Sequence, residues 1–174
     1  MKLRILVSIA AALVLAGPAQ AEKTAGDVID DSTVNASVKA KLLDTKGTPA
    51  MDINVETYEG IVQLSGFVES ADAKKKAGEV TKDVKGVKEV RNSISVHPAT
   101  SMGTKLDDTV LTTKVKSKLI EEFGAKANEI NVESKGGIVQ MAGFVDSKDM
   151  MKKAGELAAA TDGVSKVENV LIVK

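Results

Sequence analysis

Gly60 Ile61 Val62 Gln63 Leu64 Ser65 Gly66 Phe67 Val68 returns 77 residues later as Gly137 Ile138 Val139 Gln140 Met141 Ala142 Gly143 Phe144 Val145. Large apolar and β-branched residues alternate with small or polar ones, which is the pattern of a strand, and the glycines fall where a turn or a close backbone approach needs them. Gly60, Gly66, Gly137 and Gly143 are therefore read as structural. Sliding the chain against itself extends the match without a gap over residues 30–97 and 107–174, with 31 of the 68 aligned positions identical. One module has been written twice.

Working outward from that strand, the hydrophobic period changes in a fixed order within each copy. Asp30 and Asp31 precede Val34, Val38 and Leu42, whose spacing of four makes a helical stripe; Asp107, Asp108, Leu111, Val115 and Leu119 repeat it. Asp30, Asp31, Asp72 and their copies Asp107, Asp108 and Asp149 suit the positive N-terminal ends of helices and are assigned to caps or first turns. Ile53 and Val55, like Ile130 and Val132, alternate with polar residues and predict a short strand. A turn through Tyr58, Glu59 and Gly60, or Lys135, Gly136 and Gly137, joins it to the opening stretch as a hairpin.

Ser70 and Ser147 then cap a second helix. Its inner face is Ala73, Ala77, Val80 and Val84 in the first copy and Met150, Ala154, Leu157 and Thr161 in the second. Gly86 and Gly163 are expected to end these helices in a left-handed cap. Val90, Ile94 and Val96, matched by Val167, Leu171 and Val173, give one closing strand. The fold class is α+β: two tandem α-β-β-α-β modules, each a three-stranded mixed sheet with two helices on one face. Small modules of this size bury little, so the two are expected to contact one another within a monomer.

The N-terminus has the grammar of an export signal, with Lys2 and Arg4, an apolar run from Ile5 to Leu15, and Ala19 Gln20 Ala21 as the cleavage site. Residues 1–21 are read as a signal peptide cleaved after Ala21, 22–29 as a leader, and the polar stretch 98–106 as a linker. Export places the mature chain outside the cytoplasm. Of 24 basic residues the signal removes two, leaving 22 against 24 acidic ones, a balance that excludes a nonspecific nucleic-acid binder.

The order of elements, the glycines at 60 and 66, and the closing Gly86 Val87 x x Val90 x Asn92 resemble a BON domain. The second copy matches through Asp108, Leu111, Gly137, Gly143, Gly163, Val167 and Asn169. An export signal followed by two such domains is similar to an osmotically inducible group of periplasmic proteins. The resemblance implies a role in osmotic or envelope stress, without enzymatic activity, and binding to phospholipid membrane or to envelope proteins.

Nothing in the chain argues for chemistry. There is no cysteine and a single histidine, His97, which stands at a strand end without a partner in sequence. No loop has calcium-hand spacing, the glycine pairs do not open helices, and no metal, cofactor or small-molecule substrate is expected. Lysines decorate the helices: Lys39, Lys41, Lys114, Lys116 and Lys118 on the first of each pair, Lys74, Lys75, Lys76, Lys152 and Lys153 on the second. They read as solvated faces or as a surface for anionic head groups. Copy two adds apolar surface at Ile120, at Phe123 where copy one has Lys46, and at Met151 where it has Lys74. Met151 is expected either to point outward or to fill the crevice between modules. The contact surface for lipid or a partner is accordingly assigned to Lys116, Ile120, Phe123, Met151, Lys152 and Lys153. A chaperone or adaptor that binds polypeptides is the alternative.

Overall fold

The computed structural model describes residues 30–97 and 102–174, so the expected signal peptide, the leader and residues 98–101 lie outside the described residues. The first module runs α1 (Asp31–Asp44), β1 (Ile53–Tyr58), β2 (Ile61–Val68), α2 (Ala71–Lys82), β3 (Glu89–Asn92) and β4 (Ser95–Val96). The second runs α3 (Met102–Phe123), β5 (Asn131–Lys135), β6 (Ile138–Ala142), β7 (Phe144–Val145), α4 (Lys148–Ala159), β8 (Lys166–Asn169) and β9 (Ile172–Val173). Helix α3 begins inside the stretch read as linker.

The repeated stretch is the central strand of each sheet. β2 pairs antiparallel with β1, Ile53 opposite Gly66, and parallel with β3, Val62 opposite Val90; β6 repeats this with β5 and β8. Both helices pack on one face. Val34, Val38 and Leu42 of α1 and Ala73 and Ala77 of α2 close over Ile53, Val55, Val62, Leu64 and Val68, and an equivalent core forms in the second module.

Ser70 and Ser147 cap their helices, each side chain accepting a backbone N–H three residues on, at 3.2 and 3.1 Å. Asp30 caps α1, accepting from the Thr33 amide at 2.9 Å, and the hydroxyls of Ser32 and Thr33 donate to it as well. Those bonds, the Ser32 hydroxyl first, lower the Asp30 pKa to about 2.

Three readings change. Asp31 does lie in the first turn of α1, whereas Asp108 lies further along α3, and neither carboxylate serves its own helix end: each reaches across to a hairpin and accepts both turn amides. Asp31 takes those of Glu59 (2.6 Å) and Gly60 (2.8 Å), and Asp108 those of Gly136 (2.8 Å) and Gly137 (3.2 Å). Both turn residues have positive φ, 50° and 80° in the first hairpin and 60° and 80° in the second, as a type I′ turn requires. Glu59, which lacks the freedom of Gly136, is held there by Asp31.

Gly86 and Gly163 do not end helices. α2 stops at Lys82, and Gly86, with φ +94°, is the third residue of a β-turn closed by the Val87 N–H on the Val84 carbonyl at 3.1 Å. The single closing strand is also broken in two. Asn92 donates to the Lys74 carbonyl on α2 at 2.7 Å and accepts from the Ile94 amide at 3.4 Å, which takes Ile94 out of the ladder and turns its side chain into the core. Asn169 does the same with Met151 and Leu171.

Candidate functional site

Two surfaces hold the residues that bear on function: the seam between the modules and the solvent side of α3. In the seam the sheet faces turned away from the helices meet. Odd positions of β2 (Gln63, Ser65, Phe67) and their counterparts Gln140, Ala142 and Phe144 are all buried, although none belongs to either helix-side core. This is why the central strand is buried on both faces.

The two glutamines organise the contact. Gln140 accepts the Gly66 N–H at 2.6 Å and donates to the Ser93 carbonyl at 2.9 Å. Gln63 accepts the Gly143 N–H at 2.8 Å and donates to the Val170 carbonyl at 2.6 Å. Positive φ at the two glycines, +109° and +128°, turns their amides out of the ladder towards these acceptors. Around this centre the Tyr58 and Phe144 rings lie 5.5 Å apart, and Lys174 stands 5.8 Å over Tyr58 while pairing with Glu129 at 2.9 Å and Asp146 at 3.0 Å. Those two carboxylates raise the Lys174 pKa. Ser95 donates to Glu168 and Asn54 to Glu133, the latter at 2.5 Å.

Glu133 carries a pH signature. Burial in the seam raises its pKa above the ordinary 4.5, the Asn54 hydrogen bond opposes the rise, Asp52 adds to it and Lys116 offsets it. The folded protein thus takes up this proton at a higher pH than the unfolded chain. The carboxylate therefore costs stability above its folded pKa, and the cost fades as pH falls through that value and is gone below 4.5. Glu133→Gln keeps an acceptor for Asn54 and removes the charge. The expected result is a melting temperature higher by about 1–3 °C at neutral pH, with no difference at about pH 4, read by thermal denaturation at both.

The six residues assigned to a contact surface fall into three settings. Lys116 and Ile120 are exposed on α3 beside the seam, where they border a recess with Glu56 and Asn131 of the two edge strands. Phe123 and Met151 are half-buried against the second module's own core, so Met151 neither points freely outward nor fills the crevice between modules. Lys152 and Lys153 are exposed on α4, with Lys152 3.8 Å from Glu156.

A residue the sequence reading passed over supplies the missing apolar contact. Val110 is 55% exposed, as is Ile120. With Lys114 and Lys118 it edges a shallow groove of about 470 Å³ closed on the other side by Thr161 and Asp162 of the second module. The spacing of four from 110 to 114 to 118 was the available signal. His97 packs edge-on against Phe67, ring centroids 5.4 Å apart. Among the described residues no group of acids and histidine is placed to hold a metal ion, and no helix is long and apolar enough to cross a membrane.

With this geometry in place, the comparison with known families is decisive: the BON domain model matches residues 30–98 and again 107–174. The chain belongs to the BON family. The tandem BON modules are 38% identical over 151 residues to the osmotically-inducible protein Y of Escherichia coli K12, covering 86% of this chain and 75% of that protein. They are 35% identical to the outer membrane lipoprotein DolP of Haemophilus influenzae, covering 85% of this chain and 77% of that one. Among solved structures, the C-terminal domain of CdsD, a structural protein of the Chlamydia trachomatis type III secretion system, aligns with 84% of this chain and 68% of its own at 14% identity and a TM-score of 0.35. The glycines and core positions that define the BON pattern here are those that build the sheet and the seam.

Proposed function

We propose that this protein is a non-enzymatic envelope protein of the periplasm, acting in osmotic or envelope stress, that attaches peripherally and reversibly to phospholipid membrane through α3 of its second module. The observation that carries this reading is the solvent side of α3, where exposed Val110 and Ile120 stand among Lys114, Lys116 and Lys118. Apolar side chains flanked by lysines suit a bilayer interface: the hydrocarbon enters between head groups and the ammonium groups meet the phosphates. Lys118 reaches the Ala160 carbonyl at 2.9 Å, whereas among the described residues Lys114 and Lys116 are exposed lysines of α3 that make no hydrogen bond or ion pair, Lys116 acting on Glu133 through its charge alone. One relative is named for osmotic induction and another for the outer membrane, and both names agree with a site at the envelope.

The test is co-sedimentation with vesicles of phosphatidylethanolamine and phosphatidylglycerol at low salt. Each lysine near such a surface contributes about 1 kcal/mol, so Lys114→Glu with Lys116→Glu lowers partitioning at least thirtyfold or so, and salt does the same to the unmodified protein. Val110→Asp removes the apolar contact and weakens binding at every salt concentration. Protein that stays in the supernatant at low ionic strength overturns the reading. Suppression of client aggregation without lipid dependence would instead make it a polypeptide-binding chaperone.

A further inference from the structure

The seam is almost unchanged when its two halves are exchanged. Its central contacts come in pairs separated by the repeat length of 77: Gln63 with Gln140, Gly66 with Gly143, Ser93 with Val170. Each module therefore presents the same docking face, an amide side chain, a turned-out glycine N–H and a free carbonyl. These groups are polar, and water can satisfy them when the faces part, so opening the seam costs less than opening an apolar one of the same size. Residues 98–101 are all the sequence that lies between His97 and the first residue of α3, and two mutually complementary units carried on one chain can pair between chains as well as within one.

We infer that this face also takes a second copy of the chain. Two molecules exchange modules, the first module of each docking on the second module of the other, and the pair closes as a twofold dimer with no face left over. Pairing of unlike modules is selected by the contacts around the centre. Two second modules would set Lys135 where Tyr58 meets Phe144, and Ile172 where Ser95 meets Glu168. Two first modules would put Arg91 in the place of Glu168 and His97 in the place of Lys174. Exchange of unlike modules keeps every contact of the closed monomer. Because the contacts are the same, concentration decides between the forms: the monomer holds its modules at an effective concentration on the order of a millimolar, and the dimer gains as the chain approaches that value.

The absence of cysteine from the sequence makes a direct test available. Chains carrying Asn54→Cys alone and Glu133→Cys alone are mixed, unfolded, refolded together at about 0.5 mM, near the effective concentration, and oxidised. The expected product is the mixed disulfide dimer, in several-fold excess over either homodimer and decreasing when refolding is done at hundredfold dilution. A doubly substituted chain closing its disulfide within the monomer checks the reach of the pair, and Ser95→Cys with Glu168→Cys repeats the experiment at a second contact. Chains that remain monomeric at both positions, or homodimers as abundant as the mixed dimer, overturn the inference.

Discussion

Replacing Gly143 with alanine is expected to unfold the second module or bring it close to unfolding. A Cβ built there lies 2.0 Å from the Glu129 carbonyl oxygen, and the residue sits at φ +128°. The obstructing atom is backbone, so no side-chain rotation relieves it. Strain at such a φ costs about 1–3 kcal/mol and overpacking a closed site a similar amount, giving roughly 4–5 kcal/mol when both apply. For a chain of this size that is a fall in melting temperature of about 10–15 °C. Gly66→Ala is expected to act alike, with the Asp52 carbonyl 2.2 Å away and φ +109°.

The control is Gly124→Ala. Its φ is +58° and nothing lies within 4 Å of the added carbon, so only the left-handed backbone is penalised, by about 1 kcal/mol. Similar losses at 143 and 124 would show that conformation alone, and not the approach of the neighbouring carbonyl, requires glycine in the central strand. The double role of Gly66 and Gly143 explains the demand. Each lets a carbonyl of the 3-10 turn that leads into the edge strand, that of Asp52 or Glu129, come close and at the same time aims its own N–H across the seam.

The sequence made local structure legible because local structure answers to local patterns. The spacing of Val34, Val38 and Leu42 marks a helix whatever lies above it, and Ser70 three residues before Ala73 marks its beginning. The misreadings all involve groups whose partners are far along the chain. Asp31 looks like any acid in a first turn; that its oxygens meet amides 28 and 29 residues away depends on how α1 lies over the hairpin. Asn92 reads as one residue of a closing strand, and only the packing of α2 shows that its amide is diverted. Met151 aligns with Lys74, and both positions are half-buried; in the second copy the side chain there is apolar and packs against the module's own core.

Gln63 and Gln140 were the most informative residues passed over. An amide retained in both copies, in a strand otherwise fit for burial on each face, marks a face covered by something polar. Reading it needed the fact that what covers each module is the other. On the candidate site the same limit holds: charge and periodicity located the lysines of α3, while the exposure of Val110 and the retreat of Phe123 followed from packing.

Gln140→Leu tests how far the modules depend on that seam. Leucine fills the space but leaves the Gly66 N–H without a partner in a buried position and the Ser93 carbonyl without one in a part-buried position, so a loss of about 2–4 kcal/mol is expected. Gln63→Leu should cost as much, since it strands the Gly143 N–H and the Val170 carbonyl. The double variant distinguishes a seam from two separate bonds. Once the first substitution parts the modules, the second removes contacts already lost, so the double variant is expected to be hardly less stable than either single one. Denaturation of the variants should also resolve into two transitions where the unmodified chain shows one, because modules no longer joined unfold at their own midpoints. Additive losses with a single transition would mean that Tyr58, Phe144 and Lys174 hold the modules together without the glutamines.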